Sequence, residues 1–248
     1  MERAALLGRL SWQVGEVVEL RDETSRARSL VLDFPEWSGH RAGQHVDVRL
    51  TAEDGYQAQR SYSIASAPED EHLVLTVERL EDGEVSPYLV DELRPGDQLE
   101  LRGPIGGYFV WEAEHGGPLL LLAGGSGIVP LRCILRHRAA IHSDASARLL
   151  YSSRSLSEVI YRDELVSLAA DDGVDVRFTL TREQPADWAG YARRIDGELL
   201  GEIAWPIDAQ PLTYICGPTA FVETAANALV GLGHDPARIR TERFGPTG

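Results

Sequence analysis

The chain has 248 residues, of which 43% are hydrophobic and 25% are charged, as in ordinary soluble globular proteins. Its 39 acidic residues outnumber its 24 basic ones, so the formal net charge is −15. Because nucleic acid and anionic membranes both require a basic protein surface, this charge argues against either as a partner. The two cysteines, Cys133 and Cys216, lie far apart in the sequence and predict no zinc or iron–sulfur site.

Residues 1–12 contain no apolar core of signal-peptide length, and no apolar run approaches the length of a membrane span. These features predict a soluble, cytoplasmic protein. The length allows one large domain or two modest ones, each with its own core. The sequence gives no indication of the oligomeric state.

From Ser11 to Pro104 the sequence alternates between apolar and polar residues with the period of a β-strand. The alternation is clearest over residues 29–34, 46–50 and 73–78, with breaks rich in Gly, Pro and Asp between them. This pattern predicts the half-buried strands of a small antiparallel barrel or sandwich.

Within this half, Arg60-Ser61-Tyr62-Ser63 follows a polar loop at residues 54–59 and leads into a predicted strand over residues 62–65. Alternate side chains of a strand share a face, so we expect Arg60 and Tyr62 on one side and the two serines on the other. A guanidinium beside an aromatic ring suits a phosphate and a flat heterocycle, the two ends of a flavin nucleotide. Taken alone, these residues better suit a solvated edge arginine and a core tyrosine, and only the rest of the chain favours a flavin site.

A short helix is predicted to begin at Ser86-Pro87, because Ser is a good N-cap and Pro suits the first helical position. Free N–H groups and the positive end of the helix dipole make residues 83–86 a candidate anion cradle. The alternative is an ordinary helix cap that binds no ligand.

After residue 118 the pattern changes to strands that alternate with helices. Leu119–Ala123 is a continuous apolar run of the kind buried on both faces of a parallel sheet, and Gly124-Gly125-Ser126-Gly127 follows it directly. The segments predicted after this loop are a helix through 141, strands at 148–152, 175–180 and 211–215, a helix at 155–168 with a capping box at 155–158, and a helix through 230. A strand, a glycine loop and a helix in this order form the phosphate-binding corner of a dinucleotide fold.

In such a sheet, ligands bind where the strands end. Four segments are predicted to meet at this edge: residues 124–127, Ser153-Arg154, Thr181-Arg182 and residues 216–218. The predicted fold is therefore an antiparallel β-barrel domain over residues 1–112 and a Rossmann-like parallel-sheet domain over residues 113–248.

Four motifs in this order resemble those of the ferredoxin–NADP reductase superfamily. They are Arg60-Ser61-Tyr62-Ser63, Gly83-x-Val85-Ser86, the Gly-Gly-Ser-Gly-Ile-x-Pro run that starts at Gly124, and Cys216-Gly217-Pro218. The resemblance spans nearly the whole chain and is strongest to reductase components that deliver electrons to oxygenases or other redox proteins. Many such relatives continue into an iron–sulfur domain, for which this sequence has no cysteines.

The resemblance implies a role for each matching residue. In the flavin domain, Arg60, Ser61, Tyr62 and Ser63 are all expected to bind the cofactor. Tyr62 is expected to stack on the ring, Arg60 to bind a phosphate, and Ser63 to hydrogen-bond near the flavin N5 as a catalytic residue. The backbone of Thr76, Val77 and Glu78 is expected to line the ring and ribityl chain. A pyrophosphate held by Gly83, Val85 and Ser86 implies FAD, with FMN the less favoured flavin.

In the nucleotide domain, the resemblance implies that Gly125, Ser126, Gly127 and Ile128 hold the pyrophosphate of NADPH or NADH. Cys216 is expected near the nicotinamide as a catalytic residue, with Gly217 and Pro218 shaping the turn. The C-terminal Glu242 and Phe244 resemble the acidic and aromatic residues that close over the reaction site in the family, and Glu242 is a third expected catalytic residue.

An Arg at the end of the second strand accommodates a ribose 2′-phosphate, whereas an acid there suits a free 2′-hydroxyl. Ser153, Arg154, Thr181 and Arg182 stand at strand ends and contain no acid, which favours NADPH over NADH. The alternative is that both arginines are solvated loop charges.

Together these features predict a flavoprotein reductase that passes hydride from NAD(P)H to FAD and electrons to a separate redox protein, such as a ferredoxin or an oxygenase. Two alternatives stay open at this stage. One is a flavin-bound electron-transfer or regulatory subunit without its own NAD(P)H activity, and the other is a reductase of free flavin. The sequence does not identify the acceptor.

Overall fold

The computed structural model describes residues 10–170 and 173–245. Its first half is a six-stranded antiparallel sheet with strands β1 (Gln13–Thr24), β2 (Ala27–Asp33), β3 (His45–Thr51), β4 (Gln57–Ser63), β5 (Leu73–Glu78) and β6 (Gln98–Ile105). The strands are hydrogen-bonded in the order β4-β3-β6-β1-β2-β5. A bridge between Ile64 and Leu75 joins the two outer strands, so the sheet closes into a barrel. Residues 1–9, on which part of the signal-peptide prediction rests, lie outside the described residues.

The second half is a five-stranded parallel sheet, and its elements alternate along the chain as predicted. They are β7 (Leu119–Gly124), α1 (Ile128–Ala140), β8 (Ala147–Ser153), α2 (Arg162–Leu168), β9 (Val174–Leu180), α3 (Gly197–Ile203), β10 (Leu212–Pro218), α4 (Thr219–Gly231) and β11 (Ile239–Phe244). The strand order β11-β10-β7-β8-β9 places the change of winding direction between β7 and β10. The predicted fold class, a barrel followed by a Rossmann-like domain, is confirmed.

Three apolar cores hold these layers together. One fills the barrel, and the other two lie on either face of the parallel sheet. The core on one face extends into the barrel half through Ala65, Phe109 and Trp111, which pack with residues of β7, α1 and β8. The two halves therefore share buried apolar surface. We propose that the division between them lies at residue 112, as the sequence suggests.

Two local predictions are wrong. The polar residues 57–59 belong to β4 rather than to a loop, so Arg60 to Ser63 end a strand instead of preceding one. Pairing with β3 satisfies the backbone of this segment, and only Ala58 supplies a buried side chain. The second error is the capping box at residues 155–158. This segment is a 3₁₀ turn, Ser155 Oγ bonds Ser157 Oγ instead of a backbone N–H, and α2 begins only at Arg162.

The helix predicted after Ser86 is present as a short π-helical turn over Tyr88–Glu92. Its predicted cap is wrong in one respect, because Ser86 Oγ accepts a hydrogen bond from the Leu80 amide at 3.0 Å and caps nothing. Within residues 10–170 and 173–245, no helix is long and apolar enough to cross a membrane. The same residues contain no group of three or more His, Cys, Asp or Glu side chains that could hold a metal ion.

Candidate functional site

The Arg60-Ser61-Tyr62-Ser63 segment forms the end of β4, with its side chains alternating between two environments. Tyr62 is half-buried against the barrel core, and burial raises the pKa of its hydroxyl. Ser61 Oγ donates to Asp47 at 2.7 Å on the opposite face of the strand. Ser63 is half-buried, and its hydroxyl has no partner among the described residues, so it remains available to a ligand. The structure therefore engages Ser61 with the protein and leaves Tyr62 and Ser63 for the predicted flavin.

Asp47 explains why Ser61 points away from the candidate site. Its carboxylate is 5% exposed and also accepts from Arg102 at 2.6 Å. Burial alone would raise the pKa of Asp47, but the hydrogen bonds from Ser61 and Arg102 outweigh it, so the pKa lies below its ordinary value. Ser61 thus fixes the end of β4 against β3.

Arg60 lies at the surface and is paired with a carboxylate. Its Nη2 is 2.6 Å from Glu84, and Nη1 donates to the Gln59 carbonyl at 2.7 Å. Glu84 also accepts from the Tyr56 hydroxyl at 3.0 Å. Because Glu84 stands between Gly83 and Val85, this pair places the Arg60 guanidinium directly beside the predicted pyrophosphate cradle.

The cradle itself has the features that a diphosphate needs. A Cβ on Gly83 would lie 2.8 Å from Ser86 Oγ, so the loop admits no side chain there. Helical hydrogen bonding begins with the Leu89 amide, which donates to the Val85 carbonyl at 3.1 Å. The Gly83 amide donates to the Leu80 carbonyl and Pro87 has no amide hydrogen, so the free amides in this part of the described chain are those of residues 84–86. Val85 is buried in the barrel core and anchors the loop. Free amides beside an arginine fit the pyrophosphate of FAD.

The side chains of Thr76 and Val77 on β5 are buried within the protein. Val77 is buried inside the barrel, and Thr76 is 5% exposed with its hydroxyl bonded to Ser29. Glu78 is half-buried and forms no ion pair with the described residues, and its carboxylate lies 3.8 Å from the position of a Cβ on Gly125. The end of the flavin-side strand therefore directly faces the glycine loop.

The glycine loop and the Cys216 turn meet backbone to backbone at the point where the sheet changes direction. A Cβ on Gly127 would lie 2.0 Å from the Cys216 carbonyl oxygen, and one on Gly217 would lie 3.2 Å from the Gly124 backbone. Gly125 has φ +55°, a conformation that favours glycine. The loop is a 3₁₀ turn over Gly125–Gly127, with Ser126 half-buried and Ile128 packed in the core. Glycines that permit such close backbone packing are typical of a loop that binds a pyrophosphate.

Cys216 and Glu242 stand opposite each other in the register of β10 and β11, and Phe244 stands opposite Pro218. Burial, with the nearby Glu242 carboxylate as a smaller cause, raises the pKa of the Cys216 thiol well above its usual value. Burial also raises the pKa of Glu242 to about 7. Near neutral pH, Glu242 can therefore hold a proton next to the thiol. Phe244 is 37% exposed at the end of β11.

The ends of β8 and β9 place the two predicted arginines side by side. The Thr181 amide donates to the Ser153 carbonyl and the Arg182 amide to the Arg154 carbonyl, both at 2.9 Å. The Ser153 and Thr181 hydroxyls are occupied by local carbonyls, so they shape this edge rather than offer donors. Arg154 and Arg182 are exposed, and neither forms an ion pair with the residues that the structure describes.

Two family descriptions match the halves separately: the oxidoreductase FAD-binding domain over residues 15–110 and the oxidoreductase NAD-binding domain over residues 121–227. A ferredoxin–NADP reductase B from Sorangium cellulosum is 36% identical over 82% of this chain and 84% of its own length. This chain belongs to the ferredoxin–NADP reductase superfamily. The predicted FAD and nicotinamide nucleotide are confirmed as the cofactors of its two domains.

Two further members of this superfamily show the range of the relationship. The reductase subunit of glycine betaine monooxygenase from Pseudomonas aeruginosa is 31% identical over 83% of this chain, which spans only 56% of that relative. The FAD/NAD-binding domain of a nitric oxide dioxygenase from Vibrio cholerae is 28% identical with a TM-score of 0.84, over 94% of this chain and 99% of that domain.

The sequence analysis missed two residues of the site and one residue at the interface between the two halves. Glu84 was read only as the variable position of a glycine motif, and its pairing with Arg60 spans 24 positions. Tyr56 was assigned to a polar loop, although it contacts Glu84. Tyr161 gives no local signal, since it lies within a segment predicted as helix. These contacts follow from strand pairing and domain packing rather than from local patterns.

Proposed function

We propose that this superfamily member is an NAD(P)H-dependent flavoprotein reductase that serves a separate redox protein, such as a ferredoxin or an oxygenase. The observation that carries this proposal is the approach of Glu78, at the end of the flavin-side strand, to Gly125 of the nucleotide loop. This approach supports a proposal in which the two candidate cofactor sites face each other across one interface. Bound FAD supplies the chemistry, since a flavin accepts hydride and can release electrons singly.

The chain's own residues would bind and orient the cofactors. Tyr62 offers its ring and Ser63 a free hydroxyl, while Arg60 and residues 83–86 offer charge and amides for the pyrophosphate. Residues 125–128 would hold the nicotinamide nucleotide with its reactive end near Cys216. Glu242, whose pKa burial raises to about 7, would be able to hold or release a proton at that end of the site near neutral pH.

We propose NADPH as the preferred nucleotide, because Arg154 and Arg182 supply two positive charges at one edge with no carboxylate bound to either in the described residues. Replacing both arginines by Ala should weaken NADPH binding by about 10-fold or more and leave NADH binding unchanged, since a charge-assisted contact contributes roughly 1.5–3 kcal/mol. Arg193→Ala is the matched control, because Asp196 and Glu198 already neutralise that arginine. If the variant that lacks both Arg154 and Arg182 still preferred NADPH over NADH to the same extent, the proposed role of these arginines would be contradicted.

A separate acceptor and a cytoplasmic location also stay proposals. The location is supported by Cys133 and Cys216, which are both buried and unpaired, as expected in a reducing compartment. The function is tested by steady-state turnover with NADPH and a purified [2Fe–2S] ferredoxin as the acceptor. We expect ferredoxin reduction that depends on added FAD. Nucleotide oxidation that only reduces free flavin would contradict the proposed acceptor class.

A further inference from the structure

Tyr161 lies outside the candidate cofactor sites, and its backbone conformation is unusual. Its φ is 60°, in the left-handed region that bulky residues rarely adopt, and it immediately precedes α2. The residue is 5% exposed. Such conformations persist where the surroundings hold them, often next to functional sites.

The Tyr161 hydroxyl crosses from the nucleotide half to the barrel. It donates to Thr76 Oγ1 on β5, Thr76 Oγ1 lies 2.7 Å from Ser29 Oγ, and Ser29 donates to the Glu23 carboxylate at 2.5 Å. An ionised carboxylate only accepts hydrogen bonds, so the three hydroxyls must all donate in one direction, towards Glu23. The Tyr161 hydroxyl is thereby oriented as a donor towards Thr76 Oγ1.

The ring of Tyr161 is held from a second side by Arg132, whose guanidinium carbon lies 4.3 Å from the ring centre. Arg132 belongs to α1, donates to the Ala65 carbonyl at 3.0 Å and pairs with Glu164 of α2 at 2.8 Å. Two helices of the nucleotide half and two segments of the barrel therefore meet at the Tyr161–Arg132 pair.

Each of these contacts involves an element that also carries residues of a candidate cofactor site. Thr76 begins the backbone stretch that faces the glycine loop, Ala65 follows Ser63 by two positions, and α1 starts where the glycine loop ends. Hydride transfer requires donor and acceptor atoms about 3–3.5 Å apart, and a misplacement of about 1 Å can cost 100-fold in rate. The orientation of the two halves sets that distance.

We propose that Tyr161 is a positioning residue for hydride transfer, and that its hydrogen bond to Thr76 fixes the glycine loop relative to the flavin-side strand. This inference rests on the proposed function. Tyr161 contacts the side chain of Thr76 rather than the backbone predicted to line the flavin, and it acts through β5 and α1.

Tyr161→Phe isolates the hydrogen bond, because it keeps the ring and its contact with Arg132. We expect hydride transfer from saturating NADPH to fall by about 10-fold or more in anaerobic stopped-flow, with the dissociation constants for FAD and NADPH unchanged. The long-wavelength charge-transfer absorbance that reports stacking of nicotinamide on flavin should weaken. Tyr151→Phe is the control, since Tyr151 is equally buried but its hydroxyl bonds the Ile160 amide at 3.2 Å within the same half.

A second readout uses the flavin-free protein. Tyr161→Phe should accelerate amide hydrogen exchange in residues 64–78 of the barrel, whereas Tyr151→Phe should leave that region unchanged. A wild-type rate and charge-transfer band in Tyr161→Phe, or equal effects of both substitutions, would overturn the positioning role. If wild-type protein with bound FAD is bleached by neither nucleotide, the proposed function itself fails, which is a distinct result.

Discussion

Two anionic groups compete for Arg60: the Glu84 carboxylate, which it contacts at 2.6 Å, and the proposed flavin phosphate. Both side chains of the ion pair are 51% exposed, so the pair contributes only about 0.2–1 kcal/mol and is readily exchanged. A phosphate offers a stronger, charge-assisted contact in the same place. Binding of FAD therefore requires Arg60 to be shared with, or released from, Glu84.

Substitutions at the two positions should have opposite effects on FAD affinity. Arg60→Ala should weaken FAD binding by roughly 10-fold to 150-fold, because a hydrogen bond to a charged group contributes about 1.5–3 kcal/mol. Glu84→Gln should tighten binding by up to about fivefold, because it removes the competing carboxylate. Both affinities are measured by quenching of flavin fluorescence during titration.

Arg21→Ala is the matched control for Arg60→Ala, since it also removes one surface arginine paired with a glutamate, on β1. It should leave FAD affinity unchanged. Equal losses in Arg21→Ala and Arg60→Ala would mean that overall charge, rather than a phosphate contact, governs binding.

Glu242 predicts a specific pH dependence of stability. Burial raises its pKa in the folded protein to about 7 from the ordinary 4.5, so the folded state binds the proton more tightly than the unfolded chain. The contribution of protonated Glu242 to the free energy of unfolding is fully present below pH 4.5 and is lost as the pH rises towards 7. Glu242→Gln should match the wild type at pH 4 and exceed it at pH 8 by at most about 3 kcal/mol.

Urea unfolding at several pH values measures this difference. A constant gap between the wild type and Glu242→Gln from pH 4 to pH 8 would show that burial does not control this carboxyl. Arg243→Gln, one position along β11 and paired with Glu223 at the surface, should show no such pH-dependent gap.

At the scale of elements, the glycine loop depends on contacts that only glycine permits. Gly127→Ala would place a methyl group 2.0 Å from the Cys216 carbonyl, so the loop and the Cys216 turn must separate. We expect a loss of about 1–3 kcal/mol in stability, as for other overpacked sites, and weaker nucleotide binding. Calorimetry and nucleotide titration measure the two effects.

Gly231→Ala provides the control for the loop. Gly231 ends α4, and no atom lies within 4 Å of the position that its Cβ would take. Its replacement should be neutral or slightly stabilising, because Ala favours helix over Gly. Similar destabilisation in both variants would contradict a special role for the loop.

The elements that were predictable from the sequence are those in which buried apolar residues are concentrated. β7 consists of buried apolar residues, and β2, β3 and β5 each contain a run of buried residues bounded by more exposed ones, so their positions were predicted within a few residues. β1 was not identified because charged residues line it and an irregularity between Val17 and Glu19 shifts its register. β11 is an edge strand of mostly polar residues that pairs only with β10.

Residues in and around the candidate site also differ in how well the sequence predicts them. Its glycines could be predicted because tight turns and close backbone approach restrict the residue type, as at Gly125 and Gly127. Glu84 and Tyr161 could not, because their partners lie 24 and 85 positions away and are brought together only by the folded sheets. The N-cap roles assigned to Ser86 and Ser155 failed because local side-chain bonds took precedence.

At the scale of the whole molecule, the two halves share one buried core that includes Trp111, which is 2% exposed. Trp111→Ala should lower the free energy of unfolding by about 3–5 kcal/mol and affect both halves, because it removes a large side chain from that shared core. Denaturation is followed by far-ultraviolet circular dichroism, which measures the free energy of unfolding, and in parallel by flavin fluorescence, which reports on the flavin half. Ile207→Ala, at a residue that is 53% exposed, is the control and should change little.

The shared core and the contacts of Tyr161 join the two halves of the molecule. We infer that hydride passes between two nucleotides held on either side of this interface. The most direct test is an anaerobic absorbance titration of the FAD-loaded protein with NADPH and NADH in parallel. We predict that NADPH bleaches the flavin bands stoichiometrically and that NADH does so less effectively. A protein that binds FAD but is bleached by neither nucleotide, or one that takes up no FAD, would contradict the account.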